Sequence, residues 1–269
     1  MTDKRPKSIL DLITMKREGR KIVVLTAYDA LFARLLSDAG VDVLLVGDSV
    51  NQVLAGADTT LSATLDQMIY HGRSVCRGSG ETLVFIDLPF LSYQVSIPEA
   101  IRNAGRVMKE TGAHGVKLEG GSHMGSTIRA LVDIGIPVMG HVGLTPQSVH
   151  ALGGYRVQGR DPKAADRMLE DARAVESAGA CAVVLELVPA ALSARISAAL
   201  TIPTIGIGAG AGCDGQVLVT PDMLGLNDSF TPKFLKNYSR MAEEVRRAAR
   251  EFGDEVRGGT YPSKEHSFE

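Results

Sequence analysis

The chain has 269 residues, 45% of them hydrophobic and 22% charged, with 29 glycines and a net charge of −2. That is ordinary globular composition, long enough for one large α/β domain or two small ones, and the charge gives no reason to expect nucleic acid or a membrane surface as partner. No apolar run approaches the roughly 20 residues of a membrane helix, the polar opening MTDKRPKS has no apolar stretch of signal-peptide length, and Cys76, Cys181 and Cys213 match no zinc or redox spacing, so they read as reduced, mostly buried thiols of a cytoplasmic protein.

Taken in order, Ser8 caps a short amphipathic helix running to about Arg17, with Gly19 as its stop. Residues 22–26 are the first strand, and 28–38 read as the helix that follows. The second strand covers 41–46 and leads through a glycine-containing loop, 49–62, to a helix over about 64–77. The third strand, 83–87, is halted by Pro89. The next helix, about 98–111, starts on a proline suited to a first turn. Strand four (115–118), a helix over about 122–134 and strand five (137–141) come next, before the longest irregular stretch, 143–161. A helix over 162–178, strand six (181–186), a helix from Pro189 to about Leu200, and strands seven (203–207) and eight (216–219) complete the alternation. An amphipathic helix over 233–252 closes the chain, and the tail reads as loop.

About eight strands alternating with helices, in a chain of this length, predict a (β/α)8 TIM barrel with an N-terminal helix, one domain over residues 1–269. A doubly wound sheet is the rival. The barrel is favoured because polar groups end many strands instead of clustering at one switch point. Parity then assigns faces, since side chains two apart in a strand share one. Lys117 and Glu119 point into the barrel together, as do Phe85 with Asp87, Met139 with His141, and Val184 with Glu186.

Asp48, Asp87 and Glu119 form an oxygen-rich set suited to Mg²⁺. Singly, each has a plainer role: Asp48 as a loop cap, Asp87 in a turn, Glu119 paired with Lys117. Lys117 is suited to neutralising a substrate carboxylate or a developing enolate oxygen, or to an ion pair with Glu119 or Asp87. His141 reads equally as a donor to a substrate keto or carboxylate group and as a satisfied core histidine. Glu186 ends its strand in the apolar context VVLELVP, a setting that suits a general base. The glycine run over 206–212 matches phosphate-loop patterns weakly, and close backbone packing explains it as well. The remaining histidines, His71, His114, His123, His150 and His266, show no ligand spacing.

An ordered set of motifs runs through nearly the whole chain: TAYD (26–29), GDS (47–49), DLPF (87–90), KLEGG (117–121), GHVGLTPQS (140–148), GGYRVQGR (153–160), LELVP (185–189), IGIGAG (205–210), DGQVLV (214–219) and EHSF (265–268). With these the sequence resembles the ketopantoate hydroxymethyltransferase (3-methyl-2-oxobutanoate hydroxymethyltransferase) family. One departure is the VNQVLAG segment after GDS, where the family often has glycine at the Asn51 position and a polar residue before Gly56.

The resemblance implies a barrel of the phosphoenolpyruvate-utilising type. It implies Mg²⁺ at Asp48, Asp87 and Glu119, keto-acid contacts from Asp48, Ser49, Asp87 and Lys117 with His141 close by, and Glu186 as proton acceptor. It further implies hydroxymethyl transfer from 5,10-methylenetetrahydrofolate to 3-methyl-2-oxobutanoate, giving 2-dehydropantoate for pantothenate and coenzyme A synthesis, in a homodecamer of paired five-membered rings. Two rivals stand beside it. One is a Mg²⁺-dependent carbon–carbon lyase or phosphonate mutase of the same barrel superfamily, which would use a reactive cysteine in a gating loop. The other is a catalytically dead barrel kept as a scaffold.

Overall fold

The structure, a computed structural model, describes residues 7–229 and 231–268. The polar opening read over residues 1–6 lies outside them. The chain forms two compact units, Met1–Val219 and Thr220–Glu269.

The first unit holds eight parallel strands: β1 (Ile22–Thr26), β2 (Val43–Val46), β3 (Leu83–Asp87), β4 (Gly115–Lys117), β5 (Val138–Gly143), β6 (Ala182–Glu186), β7 (Thr204–Ile207) and β8 (Gly215–Leu218). Each pairs with its sequence neighbour, and β8 returns to β1 to close the barrel. The helices of this unit are α1 (Ile9–Arg17), α2 (Ala30–Asp38), the short α3 (Val50–Val53), α4 (Leu65–Gly78), α5 (Ile97–Thr111), α6 (Gly125–Asp133), α7 (Pro162–Ser177) and α8 (Ala190–Ala199). Side-chain caps start four of these helices. Asp29, Thr64, Ser96 and Asp161 each accept a backbone N–H from the first turn of the helix that follows, which satisfies a donor that would otherwise lack a partner.

Strand parity builds the core. Val24, Val43, Leu45, Phe85, Met139, Val184, Ile205 and Val217 form one buried cluster that Leu12 and Met15 of α1 join. The alternate residues Leu44, Val84, Ile86, Val116 and Val138 are equally buried but lie outside that cluster. A parallel strand buried on both faces needs apolar side chains at every position, which is why these runs are unbroken. At the start of the strands, Lys16 of α1 donates to Asp214 at 2.8 Å and to the carbonyls of Ser197 and Ile202.

One expectation holds in an unusual place and one needs correction: the glycine run packs closely, and the closing helix starts later than read. Among the described residues no helix joins β7 to β8. The glycine-rich link is instead pressed against α8, where a Cβ on Gly210 would stand 2.5 Å from the Ala190 Cβ and one on Gly212 2.8 Å from the Ala194 Cβ. The glycines serve close packing there. In the second unit, α9 (Thr220–Met223) is followed by irregular chain, and the closing helix, α10, spans Met241–Arg257, not 233–252. Backbone bonds from Tyr238 to Met223 and from Met241 to Leu224 hold the preceding segment in a turn, so the helix cannot start earlier.

Candidate active site

Register places the polar strand ends side by side. Asp87, the last residue of β3, pairs with Lys117, the last residue of β4. The Lys117 ammonium donates to Asp87 Oδ1 at 2.7 Å, with both side chains about 5% exposed or less. The other carboxylate oxygen accepts the backbone N–H of Asp48 at 3.1 Å, which draws the β2–α3 turn onto β3. Ser49 follows in that turn, with its hydroxyl 2.8 Å from the Tyr28 hydroxyl. Glu119 lies two residues past Lys117 and, as strand parity requires, enters the same buried cluster.

Gln147 and Tyr93 tie the carboxylates together. The Gln147 side-chain amide donates to Asp48 Oδ2 at 2.9 Å and to the Leu88 carbonyl at 3.0 Å. Its backbone N–H donates to Glu119 Oε2 at 3.0 Å. The Tyr93 hydroxyl donates to Gln147 Oε1 at 2.8 Å and accepts the Glu119 N–H at 3.0 Å.

His141 of β5 stands between two carboxylates, Nδ1 3.5 Å from Glu119 Oε1 and Nε2 3.3 Å from Glu186 Oε2. These are ion-pair distances without hydrogen-bond alignment, since both ring nitrogens and Glu119 Oε1 are buried with no hydrogen-bond partner. Glu186 ends β6 and is the more open of the set, with 16% of its side chain exposed. The backbone around it is tightly held. Leu187 adopts φ +46°, a left-handed conformation uncommon for a residue with a Cβ, while its N–H and C=O bond Ile207 and Gln158.

The electrostatics follow from burying more negative than positive groups. Burial, then the Asp87 and Glu119 carboxylates, push the Asp48 carboxyl up to about 8. Burial opposes the charge on Lys117, but Asp87, Glu119 and Asp48 hold its ammonium above the ordinary range. Burial and Lys117 oppose a charged His141, yet Glu119 and Glu186 outweigh them and raise it to about 9. Burial likewise opposes a charged Glu119, but His141 and then Lys117 keep it below the usual carboxylate range.

The cluster suits a hard cation. Its donors are carboxylate oxygens, one of them, Glu119 Oε1, buried without a partner, and Asp48 is held neutral by burial and by the carboxylates beside it. A divalent ion would supply the positive charge that lets all three ionise. Among the described residues no three His, Cys, Asp or Glu side chains already stand converged at metal-ligand spacing, so small side-chain adjustments would accompany binding.

The structure brings together all seven residues singled out from the sequence: Asp48, Ser49, Asp87, Lys117, Glu119, His141 and Glu186. Sequence reasoning missed Gln147 and Tyr93. Gln147 lies inside the GLTPQS motif, which was the available signal. His71 and His114 serve structure: His71 Nδ1 lies 2.7 Å from the Tyr28 carbonyl, and His114 Nδ1 accepts the Val84 N–H at 3.1 Å. Burial pushes the His114 imidazole down.

Known proteins share both the fold and the sequence. The structure resembles phosphoenolpyruvate phosphomutase from Streptomyces platensis subsp. rosaceus, with a TM-score of 0.64 at 14% identity over 98% of this chain and 92% of that one. It also resembles 2,3-dimethylmalate lyase, a member of the PEP mutase/isocitrate lyase superfamily, with a TM-score of 0.60 at 16% identity over 97% of this chain and 91% of that one. At such identities the likeness is one of fold. The sequence relatives are much nearer. The chain is 54% identical over 269 residues, all of both chains, to a protein of Pelobacter propionicus named 3-methyl-2-oxobutanoate hydroxymethyltransferase. It is 55% identical to one of that name from Syntrophotalea carbinolica, over 97% of this chain and 98% of the relative. A family model described as ketopantoate hydroxymethyltransferase matches residues 6–264, and the chain belongs to that family.

Proposed function

We propose that this protein transfers a hydroxymethyl group from 5,10-methylenetetrahydrofolate to 3-methyl-2-oxobutanoate, giving 2-dehydropantoate and tetrahydrofolate for pantothenate and coenzyme A synthesis. The reading rests on one juxtaposition. A partly open carboxylate, Glu186, lies across His141 from a buried cluster of three carboxylates and a lysine. The full-length likeness to relatives of that name supports the keto acid and the hydroxymethyl transfer, and the folate donor is what the family resemblance implies.

In this mechanism Asp48, Asp87 and Glu119 would hold Mg²⁺. When bound, the ion supplies Lewis-acid stabilisation of the negative charge that develops on the keto acid. Lys117, fixed by Asp87, adds positive charge beside the substrate carboxylate, and the Ser49 hydroxyl, backed by Tyr28, supplies a hydrogen bond. His141 stays charged and donates to substrate oxygen. Glu186 takes the proton from C3, the electron pair of the broken C–H bond forms the C2–C3 enolate, and C3 attacks the methylene carbon. One folate C–N bond breaks as C3 attacks and the other as water adds its oxygen. The two nitrogens take up the C3 proton passed on by Glu186 and one proton of that water, which leaves tetrahydrofolate and a free base. By family resemblance the protein acts in the cytoplasm as a homodecamer.

The lyase or mutase rival called for a cysteine in a gating loop. Cys76 lies within α4, and Cys181 and Cys213 are buried, so none suits that role. The scaffold rival called for a broken site, and each carboxylate and the lysine is in place. The test is proton NMR of 3-methyl-2-oxobutanoate and 5,10-methylenetetrahydrofolate with the whole protein, in Mg²⁺ and then in chelator. Loss of the C3–H signal and growth of a hydroxymethyl signal, both only with metal, is the expected result. A folded protein that forms no product in either condition overturns the proposal.

A further inference from the structure

Gln147 sits in a single 3-10 turn, Pro146–Ser148, on the connection after β5, and only 5% of it is exposed. It carries no charge and belongs to no element with a periodic pattern. Even so, it bonds two of the three carboxylates of the acidic cluster.

Its side-chain amide has two hydrogens and two lone-pair directions, and all four are engaged. The nitrogen donates to Asp48 Oδ2 at 2.9 Å and to the Leu88 carbonyl at 3.0 Å. The oxygen accepts from the Tyr93 hydroxyl at 2.8 Å and from Gln94 Nε2 at 3.1 Å. This fixes the orientation of the amide. Rotated by half a turn, it would set oxygen against the Leu88 carbonyl, which can only accept, and a donor against the Gln94 donor. The backbone N–H of the same residue donates to Glu119 Oε2 at 3.0 Å. One residue therefore holds carboxylates delivered by two different strand ends.

The chemistry of the clamp matters. Asp48 and Glu119 repel each other, which adds to the rise of the buried Asp48 carboxyl. Lys117 would hold a carboxylate by neutralising it, and it does so with Asp87 at 2.7 Å. A neutral amide instead fixes a carboxylate while leaving its charge free for a cation.

We propose that Gln147, braced by Tyr93, is the positioning residue of this site, presenting the Asp48 and Glu119 carboxylates as a pair to a divalent cation. This rests on the metal role proposed above for those two residues. Partners of this kind, which orient ligands without touching the metal, are worth about 10- to 100-fold in metal affinity.

The test uses Mn²⁺ as probe, its free ion followed by electron paramagnetic resonance, on the full-length protein. Gln147→Met removes the amide contacts at nearly constant volume and leaves the backbone N–H on Glu119. It should raise the Mn²⁺ dissociation constant by about 10- to 100-fold. The Mg²⁺ needed for half-maximal turnover should rise in step, and saturating Mg²⁺ should restore most of the lost turnover, which a general packing defect would not allow. Tyr93→Phe keeps the amide but removes its brace, and should raise the constant by a smaller factor. A folded Gln147→Met protein with wild-type Mn²⁺ affinity overturns the proposal. If that variant does not fold, Tyr93→Phe decides by the same readout, and wild-type affinity there overturns it. Absence of Mn²⁺ binding by the wild type would instead sink the metal role itself.

Discussion

His141 Nε2 lies 3.3 Å from Glu186 Oε2, while Nδ1 of the same ring lies 3.5 Å from Glu119 Oε1. One imidazole thus spans the gap between the buried acidic cluster and the carboxylate at the open end of β6. Burial and Lys117 act against a charge there, but the two carboxylates hold the ring protonated, up to about 9. A charged ring between them attracts both, and so links the position of Glu186 to that of Glu119.

Glu186 is accordingly the group to remove first. Glu186→Gln keeps the shape and loses the basic oxygen, and general bases contribute about 10²- to 10⁴-fold. Turnover and exchange of the substrate C3 proton into deuterated water should both fall by that order, while keto-acid and Mg²⁺ binding persist in titration calorimetry. Exchange at the wild-type rate would place the base elsewhere.

The Lys117–Asp87 pair predicts a stability effect distinct from catalysis. Both side chains are about 5% exposed or less, and removing one partner leaves the other buried and unpaired. Lys117→Met should destabilise the metal-free protein by about 3–5 kcal/mol in urea titration. Asp87→Asn combined with Lys117→Met should recover part of that loss, because no lone charge remains. A Lys117→Met protein as stable as wild type would show that water or rearrangement relieves Asp87.

Much of this site was legible before the fold was known, and the reason is physical. Val43–Val46 is buried at every position, so it had to be written as an unbroken apolar run, and Asp48, one glycine beyond it, stands out. The same holds for Asp87 after LVFI and Glu186 after AVVL. Gln147 and Tyr93 were hidden because they are uncharged and lie in irregular segments, where no period marks a buried face. Only barrel closure buries them against Asp48 and Glu119. The role of the glycine run between β7 and β8 was ambiguous for a related reason. A glycine run serves a phosphate loop or a close contact equally, and Ala190 and Ala194 of α8 decide for contact.

The raised groups predict how metal and protons exchange. A carboxyl at about 8 is mostly protonated at pH 7, so Mg²⁺ binding should release a proton from Asp48. Calorimetry in buffers of different ionisation enthalpy should show that release, and Asp48→Asn should abolish it. The same shifts fix the sign of the stability profile. Asp48, raised from 3.8, and His141, raised from 6.5 to about 9, each contribute stability that is complete below the lower value and lost as pH rises through the upper one. The metal-free protein should therefore lose thermal stability between about pH 5 and pH 9, and added Mg²⁺ should stabilise it most at the alkaline end. A metal-free stability that climbs across that window would contradict the assignment of both groups.

Gly143 tests whether the backbone at the end of β5 sets the position of Glu186. Its φ of +99° is one that side-chain-bearing residues rarely adopt, and a Cβ there would stand 2.3 Å from the Glu186 carbonyl oxygen and 2.8 Å from Val188 Cγ2. Two effects combine in Gly143→Ala. Backbone strain contributes about 1–3 kcal/mol, and the overlap must also push β6 away at its catalytic end. The Leu144 N–H bond to that same carbonyl, 2.9 Å in the native arrangement, would stretch with it. Gly154 is the control, because its φ is +106° and a Cβ there would meet nothing within 4 Å. Gly154→Ala should show the strain alone, with kcat near wild type. Gly143→Ala should show a larger fall in urea stability together with a fall in kcat that exceeds any rise in KM. Equal kcat in the two variants would mean that Glu186 is held by its own strand and by Leu187, independently of the β5 terminus.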